Sequence, residues 1–250
     1  TKQLVKQSQQ LQAVVVNSAI ANSCTGKQGE KNVWCERRMI AEKLKIKPEL
    51  VGVASTGLIG AQLPMAKITA GIKQLRETTN LKVTEAIMTT DTHPKRISLQ
   101  FKLNDQLCTI SGFAKGSGMI APKMATMLGF VTTDTALAPG VLQPLLAELT
   151  DQTFNQITVD GDTSTNDMVL VLANGQAKNQ PLKPTDQAWQ LFKTALQQVL
   201  AFLAQQIAGD GEGATKLLEV NVQEAFSHPE AQQVAKAIVG SNLVKAAFLG

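Results

Sequence analysis

A threonine hydroxyl is a poor nucleophile unless a base stands beside it, and Thr126 can supply its own. If the Ala125–Thr126 bond is cut, the freed α-amine of Thr126, with an ordinary pKa of about 8, lies next to its own hydroxyl. The surrounding string, Lys115-Gly-Ser-Gly-Met-Ile-Ala-Pro-Lys-Met-Ala-Thr-Met-Leu-Gly-Phe-Val-Thr-Thr-Asp134, suits such a residue. Small residues at Gly116, Ser117 and Gly118 permit close backbone approach, Pro122 stiffens the run, and Met127 to Val131 reads as a strand. The alternative is plain: a threonine ahead of a strand is also an ordinary strand former.

Other residues have chemistry within reach. Thr56-Gly57 follows a strand-like run, where a hydroxyl and a freely oriented backbone N–H can aim at one oxygen, as an oxyanion hole requires; a simple turn is the other reading. Glu212 stands between two glycines after a helical stretch and can reach toward a ligand amine or remain in solvent. His93 offers a base, but a self-activated threonine needs none, so a surface-loop histidine is expected. Asp160-Gly-Asp-Thr-Ser-Thr-Asn-Asp167 lacks the sixth-position glycine and the late glutamate of a calcium loop, and no metal is assigned. The Gly116-Ser-Gly118 run is not a phosphate loop, since G-x-x-x-x-G-K-[ST] is absent.

The elements that must position these residues follow from periodicity. Leu11–Val16 predicts a strand, Gln28–Leu44 an amphipathic helix, Leu50–Ser55 a strand, and Pro64 to about Leu75 a helix. Lys82–Met88 reads as a strand ending in Thr89-Thr-Asp-Thr-His-Pro-Lys95. Ile97–Leu103 alternates with period two, turns at Asn104-Asp105 and returns as Gln106–Phe113. Pro139 opens a helix striped by Leu142, Leu145 and Leu149. Met168–Ala173 predicts a strand, Pro184–Ala208 a long helix striped by Ala188, Phe192, Ala195, Leu196, Val199, Leu203 and Ile207, Lys216–Val222 a strand, and Pro229–Gly250 one further helix.

Composition sets the frame. With 250 residues, 44% of them hydrophobic, the chain can build one large or two modest cores. Lysine and arginine are scattered and the net charge is only +4, which argues against a nucleic-acid partner. Glu36-Arg37-Arg38 with Lys43, Lys45 and Lys47 reads as a solvated helix face. Three unpaired-looking cysteines, Cys24, Cys35 and Cys108, suit a reducing compartment. Neither a signal core nor a run of about 18 apolar residues is seen, so a cytoplasmic location and no membrane partner are expected. No linker or repeat marks a domain boundary.

The string KGSGMIAPKMATMLGFVTTD closely resembles the cleavage segment of the ornithine acetyltransferase (glutamate N-acetyltransferase) family of arginine biosynthesis. DGDTSTND and DGEGATK are similar to other segments of that family, as is TTDTHPK apart from His93, where Phe is usual. The loop Asn17-Ser-Ala-Ile-Ala-Asn-Ser-Cys-Thr-Gly26 also resembles a family loop, departing at Ala19, where the family has glycine, and at Ile20.

The resemblance implies an α/β fold, a layered sandwich of sheets covered by helices, of the self-processing N-terminal-nucleophile kind. It implies cleavage between Ala125 and Thr126 into residues 1–125 and 126–250, with sheets shared by both pieces. Thr126 becomes the nucleophile, Thr56 and Gly57 the oxyanion hole, and Thr92, Lys115 and Glu212 bind substrate together with Thr126. The implied reaction moves acetyl from N-acetylornithine to glutamate by a ping-pong route. No cofactor is required, and acetyl-CoA is a possible second donor. The pieces are expected to associate as a heterotetramer, two of each. Family members extend beyond this chain, which therefore reads as truncated. Two rivals stay open: an N-terminal-nucleophile amidohydrolase or aminopeptidase, and an incomplete chain that binds without turnover.

Overall fold

Val14, Val15 and Val16 are β-branched and favour a pleated surface, and they form the middle of strand β1 (Ala13–Asn17). Its parallel partner is β2 (Val51–Ser55), in the register Ala13↔Val51 to Asn17↔Ser55. Parallel strands need a long crossover, and helix α2 (Gly26–Leu44) supplies it. The computed structural model describes residues 1–8, 10–79, 81–120 and 127–249. A short N-terminal helix, α1 (Lys2–Ser8), precedes β1. Ile40 and Ala41 of α2, Val51 of β2 and Ile72 of α3 (Met65–Gln74) make a small core, against which Ala13 and Val15 pack. These elements belong to the first of two compact units, Thr1–Thr89, and the second is Thr90–Gly250. Composition had marked no boundary there.

Helix α2 ends at Leu44 as expected, and Lys45 caps it in a left-handed conformation. Two expectations fail in this unit. The face expected to be solvated is only partly so: Arg38, Lys43, Lys45 and Lys47 are exposed, whereas Glu36 and Arg37 are buried. Arg37 is satisfied by the Pro48 carbonyl, to which Nε and Nη2 donate at 3.0 and 2.7 Å, and it lies over the Trp34 ring. Lys82–Met88 is not a strand but contains helix α4 (Lys82–Ala86). Thr84 of α4 and Ile87 just beyond it are buried and three apart, a helical spacing, and the Thr84 hydroxyl closes the first turn on the Leu81 carbonyl at 2.8 Å.

The second unit is built on a four-stranded sheet in the order β3-β4-β5-β6. Strands β3 (Lys95–Leu103), β4 (Gln106–Lys115) and β5 (Leu128–Thr133) run antiparallel, and β6 (Met168–Ala173) lies parallel to β5. The β3–β4 turn is Asn104-Asp105, with Asn104 at φ +53°, a conformation asparagine tolerates better than most residues. Cys108, Ile110 and Ala114 point from β4 into the core, while Ser111 faces away and its hydroxyl meets that of Ser98 at 2.7 Å. Because β3 and β4 precede Ala125 and β5 and β6 follow Thr126, the sheet joins the two pieces that cleavage would produce.

The long helix α6 (Trp189–Gly209) covers β3 and β4 with Phe192, Leu196, Val199, Leu200, Leu203 and Ile207, nearly the stripe read from the sequence. Gly112 makes this contact possible, since a Cβ there would lie 2.8 Å from a Val199 methyl. Helix α5 (Leu142–Gln152) adds Leu145 and Leu149 to the same core.

The second unit differs from expectation in four places. Pro139 and Pro184 precede their helices by turns instead of opening them. Lys216–Val222 forms no strand: Leu217 is half exposed and the segment finds no ladder partner among the described residues, so β-propensity alone has nothing to pair with. The C-terminal region holds two helices, α7 (His228–Val239) and α8 (Asn242–Leu249), separated at Gly240, a weak helix former.

Candidate active site

The β3–β4 ladder pairs Lys95 with Ala114 and therefore sets Lys95, at the start of one strand, beside Lys115, at the end of the next. Both are 1% exposed. Two lysines cannot be buried side by side without compensating charge, and the polar cluster before β3 provides it. Asp91 Oδ1 lies 2.8 Å from Lys95 Nζ, and Asp91 Oδ2 lies 3.6 Å from Lys115 Nζ. Asp210, at the end of α6, approaches Lys95 Nζ at 2.5 Å. The four charges sum to zero. Burial pulls the Lys115 ammonium below its ordinary range, against the opposing pull of Asp91 and Glu212.

The chain on either side of this cluster is tied to it. Gly116 N–H donates to Asp91 Oδ1 at 2.6 Å, and Ser117 Oγ donates to the Asp210 carbonyl at 2.7 Å. Glu212 N–H donates to the Ser117 carbonyl at 3.2 Å. Gly118 then has a clear reason to be glycine: a Cβ would stand 2.7 Å from the Glu212 carboxyl carbon. Thr92 is held by Asp210 twice, through its backbone N–H at 3.0 Å and through its hydroxyl. His93 is about half exposed, with Nδ1 3.1 Å from Thr92 Oγ1 and 3.5 Å from Asp210 Oδ1. Burial works against ionisation of Asp210, yet Lys95 and the two Thr92 bonds outweigh it and keep the carboxyl below the usual carboxylate range.

Thr92, Lys115 and Glu212 are thus gathered in one polar site of the second unit. Ala125 and Thr126 lie outside the described residues. The residues flanking that segment are gripped by the two ends of the Asp160–Asp167 loop. Asp160 accepts from the Met119 and Ile120 N–H groups, the latter at 2.8 Å, and Asp167 Oδ1 accepts from Met127 N–H at 2.9 Å. The second oxygen of Asp167 is buried without a hydrogen-bond partner among the described residues. Burial pushes the Asp167 carboxyl up to about 7, opposed by the Met127 bond and the nearby Lys115 charge.

In the first unit, Thr56 and Gly57 sit where β2 ends. Thr56 N–H donates to the Asn17 carbonyl at 3.1 Å and is therefore spoken for, but the Thr56 hydroxyl is buried with no hydrogen-bond partner among the described residues. Gly57 has φ +123°, and a Cβ there would lie 2.2 Å from the Ala19 carbonyl carbon. The available donors of this turn are thus the Thr56 hydroxyl and the Gly57 N–H. Ala19, against which Gly57 packs, itself has φ +78°, the left-handed conformation that suits glycine.

The sequence reading missed Asp91, Lys95, Asp210, Asp160 and Asp167 as members of the site. Asp91 and Lys95 stand four apart in a loop-like string, a spacing with no meaning off a helix, and their partner Asp210 is 115 residues beyond Lys95. The available signal was their place in the family-like strings: TTDTHPK holds Asp91 and Lys95, DGDTSTND holds Asp160 and Asp167, and DGEGATK holds Asp210. Among the described residues, no group of three or more His, Cys, Asp or Glu side chains could hold a metal ion, and no helix is long and apolar enough to cross a membrane.

Comparison with known proteins gives this arrangement a family. The arginine biosynthesis bifunctional protein ArgJ of Lactiplantibacillus plantarum is 60% identical over 250 residues, which is 100% of this chain and 62% of that protein. The Bacillus subtilis protein of the same name is 54% identical over 252 residues, with the same coverage. This chain thus spans about 62% of the length of these relatives. The solved structure of ArgJ from Bacillus halodurans aligns with 48% of this chain and 65% of its own, at 43% identity and a TM-score of 0.47. Ornithine acetyltransferase from Mycobacterium tuberculosis, solved in complex with ornithine, aligns with 48% of this chain and 66% of its own, at 36% identity and a TM-score of 0.45. The profile of the ArgJ family matches residues 1–250, and the chain belongs to that family.

Proposed function

We propose that this chain transfers acetyl from N-acetylornithine to glutamate in arginine biosynthesis, through an acetyl-threonine at Thr126. The observation that carries this reading is the gathering of Thr92, Lys115 and Glu212 around a charge-neutral buried cluster, in a member of the ArgJ family. Cleavage between Ala125 and Thr126 frees the α-amine that activates the hydroxyl. Thr126 Oγ attacks the acetyl carbonyl, the amine takes the hydroxyl proton and passes it to the departing nitrogen of ornithine, and the C–N bond breaks. Glutamate then attacks the ester through its amine, the C–O bond to Thr126 breaks, and N-acetylglutamate leaves. The Thr56 hydroxyl and Gly57 N–H stabilise the oxyanion of both steps. Lys115 binds substrate carboxylate, and Thr92 and Glu212 bind its amine side.

The chemistry requires no cofactor, acetyl-CoA can serve as an alternative donor, and the cleaved pieces assemble as two of each in the cytoplasm. Initial rates at several glutamate concentrations test this proposal. Parallel double-reciprocal lines support transfer, and Thr56→Val should then lower kcat by about 10²- to 10³-fold. Intersecting lines contradict the ping-pong route, and acetate released without glutamate supports a hydrolase.

A further inference from the structure

Asp210 is a carboxylate and can only accept hydrogen bonds, so the proton between it and the Thr92 hydroxyl belongs to Thr92. The same carboxylate takes the Thr92 backbone N–H at 3.0 Å, which fixes the residue at two points. We propose that Asp210 is a positioning residue that commits the Thr92 hydroxyl proton inward, so that Thr92 meets a bound amino acid as an acceptor and takes one of its N–H groups. The inference rests on the reading that Thr92 lines the amino-acid site.

Three features support it. Thr92 is exposed whereas the Asp210 side chain is buried, so a ligand reaches Thr92 from the side away from Asp210. Lys95 keeps Asp210 in place, held in turn by Asp91, and neither lysine nor aspartate of this chain of contacts is free to turn away. With the threonine proton committed, the His93 Nδ1 at 3.1 Å from Thr92 Oγ1 must carry hydrogen, which occupies one lone pair and leaves the other for a ligand. The site then presents one cationic donor, Lys115, and two acceptors, Thr92 and Glu212. That set matches an α-amino acid, with a carboxylate for the first and an amine or amide N–H for the others.

Isothermal titration of ornithine into the full chain tests this, with Thr92→Val, Thr92→Ser, Asp210→Asn and Thr92→Val/Asp210→Asn. Each of Thr92→Val and Asp210→Asn should weaken binding by about tenfold, the double variant no more than the worse single one, and Thr92→Ser by less than about twofold. Lys95→Met/Asp210→Asn, which leaves the balanced Asp91–Lys115 pair, should reproduce Asp210→Asn and guards against misfolding from an unpaired lysine. Effects that multiply to about a hundredfold in the double variant overturn the inference, because Asp210 would then act independently of Thr92. Undetectable binding to the unaltered chain, or unchanged affinity in Thr92→Val, also overturns it. Acetyl transfer measured on the same samples separates the two readings: coupled binding without transfer removes the proposed function alone, and transfer without coupling removes this inference alone.

Discussion

Ala19 and Glu36 are two residues whose surroundings suit another side chain better. Ala19 holds φ +78°, at the position where the family loop it resembles has glycine, and left-handed backbone costs an L-residue roughly 1–2 kcal/mol. Part of that is returned by the entropy glycine loses on folding, so Ala19→Gly should stabilise the chain by about 0.5–1 kcal/mol, read as a rise in chemical denaturation midpoint. An unchanged or lower midpoint would contradict the strain. Glu36 is 1% exposed and neither carboxyl oxygen has a hydrogen-bond partner among the described residues, while Arg37 next to it is committed to Pro48. Burial pushes the Glu36 carboxyl from 4.5 up to about 7. A raised pKa means the folded state holds the proton more tightly than the unfolded one. The associated stability is therefore fully present below about 4.5 and is lost as pH rises through 7. Glu36→Gln has no such proton to lose, so its melting temperature relative to the parent should climb between pH 5 and pH 8. A difference that is flat with pH would refute the buried, neutral glutamate.

At the scale of elements, α6 lies close on β4 at Gly112. Gly112 leaves room for Val199 and Leu203, and a side chain there would force the helix off the sheet. Gly112→Val should destabilise the second unit by about 1–3 kcal/mol, the usual range for overpacking, and a thermal melt with no loss would show that the helix can yield. Much of this level was legible in the sequence. The alternation of Ile97–Leu103, the Asn104-Asp105 turn and the stripe of α6 are local patterns whose periods match the elements they form. Helix α4 was misread because five residues offer too short a window to separate period 2 from period 3.6. Lys216–Val222 was misread because strand propensity says nothing about whether a partner edge exists. The site divides in the same way. Thr92, Lys115 and Glu212 lie in strings that resemble a known family, and Asp91, Lys95 and Asp210 lie in the same strings as Thr92 and Glu212, but that Lys95 meets Asp210 across 115 residues is decided only by folding.

For the whole molecule, the central claim is that the chain divides itself before Thr126 and works as two pieces. The β4–β5 ladder runs from Ile110↔Thr133 to Lys115↔Leu128 and would bind residues 1–125 to residues 126–250 after the cut, with α6 covering β3 and β4 from the other side of the break. A native gel or sizing column would therefore not reveal cleavage, and equal lengths could merge on a denaturing gel. Intact mass under denaturing conditions is the most direct test. Two masses, matching residues 1–125 and 126–250, are the expected result, and Thr126→Ala should return a single species near 26.7 kDa. A single full-length mass for the unaltered chain would mean that Thr126 has no free amine, and the nucleophile at the centre of the proposed function would be gone.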